Sequence, residues 1–277
     1  MIKLIRDLTR VEEQILANVS HEVLISTLNK LKRMLARYKV QYFLIGGSAI
    51  GALRHKGMIP WDDDIDIGIK RENIQAFIAA FNGANVDADV RLISPGEPNY
   101  YFATYKVLNS AEAVYDEVDA GTGLHGVFID VFALDKTFRW KPLRRLHQLI
   151  VRLDQVAMDI AGGNNDTGKH LGIFHKWAAF VAAHRSKSDI AAMNVKHIQM
   201  FNWLPGGYIY YNFSSPYAWD REMYLPAEIK SASIQEFEGE KFPVAVGYDA
   251  ILTRMYGDYM HPPKEAERKP RHLQEDK

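Results

Sequence analysis

An α/β or α+β catalytic module, with a mixed sheet flanked by helices, is the fold class this sequence predicts. Three features lead there. Helical and strand periodicities alternate through the first seventy residues, short β-branched or aromatic runs then follow one another, and three further helical segments cluster after Trp140. A chain of 277 residues holds one large domain or two packed ones, and the change of character puts a soft boundary near residue 139. Residues 1–139 read as the catalytic core and 140–277 as a helical and mixed part packed on it.

The first element is an amphipathic helix over residues 9–38, in which Val11, Ile15, Val19, Leu24, Leu28, Leu31 and Leu35 recur near the helical period. An apolar strand, Val40–Ile45, stops at Gly46-Gly47, and Ser48 is placed to cap a short helix over Ala49–Arg54. A loop through Gly57 and Pro60 leads into an acidic strand, Asp62–Ile69, and then a helix over 71–82. Strands are expected at Val90–Ile93, Tyr100–Leu108, Ala113–Glu117 and Gly126–Phe132. Helices are expected at Lys141–Ile160, Leu171–Arg185 and Ile190–Phe201, followed by a mixed segment, Tyr208–Met260, and a polar tail.

Composition narrows the function. Lys plus Arg balance Asp plus Glu at 34 each, which gives no electrostatic case for nucleic acid. Cysteine is absent, so disulfides and thiolate-ligated zinc or iron–sulfur sites are excluded. The amino terminus is broken by charges and carries no apolar h-region, and no later run is long enough to cross a bilayer. A cytoplasmic location is expected. The helix that starts at Lys141 has basic residues (Arg144, Arg145, Arg152) beside an apolar face of Leu143, Leu146, Ile150 and Leu153. Residues 139–153 are therefore a candidate peripheral contact with the inner face of a membrane.

The chemistry concentrates between Gly46 and Asp66. Gly46-Gly47 lets backbone N–H groups approach a phosphate chain closely, and Ser48 adds a hydroxyl at a helix start. Arg54, His55 and Lys56 offer phosphate contacts. In an extended strand Asp62, Asp64 and Asp66 project from one face and Asp63 from the other. Carboxylates packed that way repel unless a cation sits among them, and Mg²⁺, or Mn²⁺ in its place, suits hard oxygen ligands and substrate phosphates. A solvated acidic turn would carry the same acids, but Ile65-Asp66-Ile67-Gly68-Ile69 is too apolar for one. A third acid to complete the metal shell or accept a proton is best supplied by Asp130, a single charge in Gly126–Phe132. Asp135 reads as a turn residue. Lys106, a lone charge among aromatics, would either bind phosphate or snorkel along the sheet edge.

These residues closely resemble the LicD family of phosphocholine transferases and fukutin-related proteins. The resemblance rests on Gly47-Ser48-Ala49-Ile50-Gly51-Ala52-Leu53-Arg54-His55-Lys56-Gly57-Met58-Ile59-Pro60-Trp61 and the acids from Asp62 to Asp66. Downstream it continues through Lys106, Gly126, Phe128 and Asp130, then Phe237-Glu238-Gly239, Phe242-Pro243 and Tyr256-Gly257-Asp258-Tyr259-Met260. It implies a nucleotidyltransferase-like fold and transfer of a phospho-alcohol from a CDP-activated donor, CDP-choline foremost, to a hydroxyl of a cell-surface glycan or its lipid-linked precursor. On that reading Asp64, Asp66 and Asp130 bind Mg²⁺ and Asp62 ranks second, orienting Arg54 or a metal-bound water. Gly46, Gly47 and Ser48 take the donor's pyrophosphate, and CMP leaves. Quaternary ammonium groups bind aromatic faces, for which Tyr100, Tyr101, Phe102, Tyr105, Tyr210, Tyr211, Trp219 and Tyr224 are candidates. Two rival readings remain: a nucleotidyltransferase that modifies a small hydroxyl compound such as an aminoglycoside from an NTP, and a catalytically silent nucleotide-binding protein.

Overall fold

The computed structural model describes residues 21–62, 64–84, 87–111, 122–164, 166–168, 171–215, 220–264 and 268. A helix over residues 21–37 (α1) opens the described chain, and the part of the expected helix over 9–20 lies outside the described residues, as does the expected strand Ala113–Glu117. Leu24, Leu28, Leu31 and Leu35 form the buried stripe of α1 at four- and three-residue steps. Its end is a Schellman-type turn: Lys39 takes a left-handed φ of 56°, Val40 N–H bonds Leu35 O, and Lys39 N–H bonds Ala36 O.

The architecture is mixed α/β, as the periodicities predict. β1 (Phe43–Leu44), β2 (Ile65–Lys70), β3 (Val90–Ile93), β4 (Tyr105–Asn109), β5 (Val127–Phe138), β8 (Ala232–Phe237) and β9 (Glu240–Ala245) lie in the order β3-β4-β5-β2-β1-β9-β8. β2 runs parallel to β5 and β1 parallel to β9, while the other neighbours on this path are antiparallel. The far half of β5 pairs with β6 (Tyr208–Tyr211), which pairs in turn with β7 (Met223–Tyr224). The central sheet therefore draws strands from both sides of residue 139.

Strand alternation gives the sheet two different faces. Ile65, Ile67 and Ile69 of β2 and Ile129, Val131 and Ala133 of β5 are buried against α1 and against Ile74, Phe77, Ala80 and Phe81 of α3 (Arg71–Gly83). Full burial of each such Ile or Leu contributes roughly 1.5–3 kcal/mol, so this side is the main core. The opposite face carries Lys106, Asp130, Asp66 and Phe132 and is where the pocket forms.

Four expectations need correction. The acidic strand starts at Ile65, not Asp62, so Asp62 and Asp64 sit in the preceding loop and the common-face reading holds only for Asp66 onward; Asp63 lies outside the described residues. Tyr100–Thr104 is irregular and the strand begins at Tyr105. Asp135 is no turn residue: it lies within β5, fully buried, with Arg71 Nε and Nη2 each donating to it at 2.8 Å and Asn202 Nδ2 at 2.7 Å.

The fourth correction concerns α4 (Lys141–Ala161), whose buried face only partly coincides with the expected apolar one: Leu153 is buried and Leu143 and Ile150 are half-buried. Arg144, His147, Gln148, Val151 and Asp154 are buried and Leu146 is exposed. Arg144 donates to Asp220 and to the carbonyl of Arg139, and Arg145 also bonds Asp220. Part of the basic side of residues 139–153 is thus buried and internally paired, while Lys141 stays exposed, and no contact of this segment with a membrane is shown. Among the described residues no helix is long and apolar enough to cross a membrane. α5 (Ile173–His184) and α6 (Lys187–Gln199) pack beside α4, and α7 (Tyr248–Tyr256) is the last helix among the described residues.

Candidate active site

Three neighbouring strands align their charged residues on one rung. Asp66 of β2 is the register partner of Asp130 in β5, and Asp130 is the partner of Lys106 in β4. Cross-strand partners share a face, so the row Lys106–Asp130–Asp66 is fixed by pairing rather than by loop geometry. Lys106 and Asp130 are buried and joined at 2.6 Å, and the Lys106 ammonium also lies 3.7 Å from the centroid of the Phe128 ring.

A glycine-rich turn meets this row from the other side. α2 (Gly46–Ile50) runs directly into a π-helical turn, Gly51–His55, that ends at Lys56 with φ 60°. Gly46 has φ +55° and a Cβ there would press on the Asp66 carboxylate; a Cβ on Gly47 would overlap Asp62 Oδ2. Only glycine lets these acids come so near the backbone. Ser48 does not cap the helix, because Ile45 holds the cap position. The Ser48 hydroxyl accepts from Asp66 N–H at 2.8 Å, which ties the turn to the acidic strand from below.

The segment between turn and strand is anchored from far along the chain. Glu238, at the β8–β9 hairpin turn, accepts from Met58 N–H at 2.7 Å, and its own N–H bonds Lys56 O at 2.8 Å. Gly57 must lack a Cβ because the Glu238 carboxylate fills that space. His21 Nε2 lies 2.8 Å from Asp62 O, and as that carbonyl only accepts, the ring donates.

A cavity of about 710 Å³ opens over the rung, a size that suits a small-molecule ligand. It is lined by Gly46, Gly47, Arg54, Asp62, Asp64, Asp66 and Asp130 among the expected residues. Ser48, His55 and Lys106 do not line it: Ser48 is buried beneath the turn, Lys106 behind Asp130, and the His55 ring stands edge-on to Trp61 with centroids 6.0 Å apart. Arg54 reaches the Tyr259 carbonyl at 2.7 Å, and its guanidinium is 6.0 Å from the Trp61 ring centre, while that of Arg268 is 5.0 Å away.

The lining also holds Trp61, Phe132, Tyr256 and Asp258, which the sequence marks only as motif residues without a site role, and Asn212, Ser215 and Glu222, to which it gives no role in the site. Glu222 is the most informative. It is buried and accepts from Asn212 Nδ2 at 2.9 Å and Tyr224 hydroxyl at 3.1 Å, and Ser215 also bonds it. Among the described residues no Lys or Arg pairs with it, and burial pushes its carboxyl up. Its only sequence signal was an acid at the end of the charged run Asp220-Arg221-Glu222, just before Met223-Tyr224, too weak to single out. Of the aromatic candidates for an ammonium site, Tyr100, Tyr101, Phe102, Tyr105, Tyr210, Tyr211 and Tyr224 fall outside the cavity lining, and Trp219 lies outside the described residues.

The carboxylates shape one another's chemistry. Desolvation first, then the charges of Asp64, Asp130, Asp62 and Glu222, hold the Asp66 carboxyl well above the ordinary carboxylate range. A cation would relieve that repulsion. Among the described residues no group of three or more His, Asp or Glu is arranged to hold a metal ion by itself, so a cation here would need ligands from phosphate or water. The open arrangement fits Mg²⁺, which is commonly held by one or two carboxylates together with substrate phosphates and water.

Comparison with known proteins bears on the same residues. Residues 39–112 match the family described as LicD/FKTN/FKRP, nucleotidyltransferase domain. The lipopolysaccharide cholinephosphotransferase LicD of Haemophilus influenzae is 30% identical over 261 residues, spanning 91% of this chain and 94% of that protein. The human ribitol 5-phosphate transferase FKRP is 54% identical over 35 residues, 13% of this chain and 7% of its own. With a relative aligned over almost the full length of both proteins, and the motif-bearing turn and strand at the floor of one cavity, this chain belongs to the LicD family.

Proposed function

We propose that this protein transfers phosphocholine from CDP-choline to a hydroxyl of a cell-surface glycan or its lipid-linked precursor, of lipopolysaccharide or teichoic acid type, and releases CMP. The coarser statement, a phosphotransferase of LicD type, follows from the alignment with the Haemophilus influenzae enzyme. The observation that carries the finer one is the cavity in which Asp64, Asp66 and Asp130 face the Gly46-Gly47 turn.

Asp64 and Asp66 would hold Mg²⁺ (or Mn²⁺), which when bound neutralises charge on the phosphates of the donor. Gly46 and Gly47 begin a helix, so their N–H groups have no acceptor within it and are available to a phosphate oxygen. Arg54 at the cavity wall supplies a further cation. Asp130, paired with Lys106, is the third acid beside Asp66. The acceptor oxygen forms its bond to the choline-bearing phosphorus as the bond to the CMP oxygen breaks, and the hydroxyl proton passes to a carboxylate of the cluster. The choline head is favoured over an uncharged alcohol by Phe132 and Tyr256, two aromatic rings in the lining, together with the buried Glu222 carboxylate.

The test is direct. Purified protein with Mg²⁺, a glycan acceptor and CDP-choline, CDP-glycerol or CDP-ribitol should release CMP, fastest with CDP-choline. Pyrophosphate release from an NTP with a small hydroxyl acceptor, and no CMP from any CDP-alcohol, would replace this reading with nucleotidyl transfer.

A further inference from the structure

We propose that α5 is a surface anchor that lies on an anionic phospholipid bilayer. The helix Ile173–His184 buries little of itself: within it only Ala178 is fully enclosed. Ile173, Trp177 and Phe180 are 76%, 45% and 61% exposed and follow one another at helical spacing, and the His184 ring continues the stripe at 4.2 Å from Phe180. Phe174, at the edge of this stripe, is 46% exposed. Scattered exposed apolar residues are ordinary, but four large ones on one helix form a patch that needs a partner.

The charges say which partner. No Asp or Glu occurs between Asp166 and Asp189, whereas Lys169, Lys176, Arg185 and Lys187 fall in that interval. Lys176 and Arg185 are exposed beside the aromatic stripe. Trp and Phe on one side of a helix with cations flanking them match the interface of a bilayer whose surface is anionic. At twelve residues the helix is roughly 18 Å long, too short to span and long enough to lie flat. A second copy of this chain fits less well. A two-fold contact through this face would set Lys176 and Arg185 of each copy against cations of the other, with no acid on the helix to answer them. The inference stands on exposure and charge and does not depend on which donor the active site takes.

Flotation of the full chain with phosphatidylcholine vesicles, with and without about one-third phosphatidylglycerol, tests it. The protein should float with the anionic vesicles and not with the neutral ones, and added salt should release it. Trp177→Ser with Phe180→Ser, and separately Lys176→Glu with Arg185→Glu, should each weaken flotation by about tenfold or more. The charge-reversal pair changes only exposed positions, so it decides the matter even if the serine pair fails to fold. Equal flotation with both vesicle types, or flotation that neither pair weakens, overturns the proposal. So does a chain that binds no vesicle and is a dimer in solution that the serine pair turns into a monomer.

Discussion

Lys106 Nζ lies 2.6 Å from Asp130 Oδ1, and the two residues are direct partners across β4 and β5. The pair is buried on the same face as Asp66, so the cation that partners Asp130 is part of the sheet rather than of the ligand. Removing one member leaves the other as an uncompensated buried charge. Lys106→Met should cost about 3–5 kcal/mol of stability and most of the CMP release. Adding Asp130→Leu should recover much of the stability and none of the activity. Urea unfolding of both variants beside the turnover assay checks this; a single variant as stable as wild type would show that the pair carries no structural weight.

Asp66 shows the opposite balance. Desolvation and the surrounding carboxylates disfavour its charged form, so the folded apo protein carries repulsion at the cavity floor. Asp66→Asn should melt higher than wild type in the absence of divalent metal, while CMP release falls by about a thousandfold or more. Mg²⁺ should raise the melting temperature of wild type, by the linkage expected for a ligand that binds only the folded state, and leave Asp66→Asn unmoved. Scanning calorimetry with and without Mg²⁺ reads both effects. An equal Mg²⁺ response in the two proteins would remove Asp66 from the metal site.

The loop that carries Asp62 and Asp64 depends on Glu238, 180 residues from its partner Met58. Glu238→Ala strands the N–H of a buried residue, at a cost of about 1–3 kcal/mol. Glu238→Gln keeps an acceptor in place and should be nearly neutral. Gly57→Ala should resemble Glu238→Ala, since the new methyl group displaces the same carboxylate. Comparing melting temperatures and CMP release for the three variants tests the link; activity retained in Glu238→Ala would mean that the loop holds its shape without the hairpin.

The sheet's inner face was legible because Ile65, Ile67 and Ile69 alternate with Asp66 and Gly68, and alternation needs only the strand period. The same rule misplaced Asp62 and Asp64, since the strand begins one residue after Asp64 and a loop has no fixed period. Asp130 was legible as a lone charge in an apolar strand, and so was Lys106, but their pairing was not, because register between strands is set by tertiary packing. Asp135 and α4 failed for a related reason. Their polar residues are buried with partners 64 and 76 residues away, as Arg71–Asp135 and Arg144–Asp220 show. A local hydrophobic pattern assigns such residues to the surface. Glu222 escaped notice because it ends the mixed-charge run Asp220-Arg221-Glu222, and a run of alternating charges reads locally as a solvated turn.

His147 supplies a pH dependence separate from the active site. Its ring is fully buried, with Nδ1 at 2.9 Å from the Thr137 hydroxyl and Nε2 at 2.8 Å from the His197 carbonyl. That carbonyl can only accept, so Nε2 carries the proton and Nδ1 accepts from Thr137; the neutral ring is fully satisfied. Burial lowers its pKa from 6.5 to about 4. Between those values the unfolded chain binds a proton that the folded chain refuses, so stability is full above pH 6.5 and declines as pH falls toward 4. The shift corresponds to about 3 kcal/mol over that window. His147→Gln, which keeps a donor and an acceptor without a titrating group, should lose this part of the acid sensitivity. Urea unfolding of both proteins across the window isolates it, because contributions from groups that do not touch His147 are common to the two curves. A stability difference between wild type and His147→Gln that stays constant with pH would show that His147 does not titrate in this range.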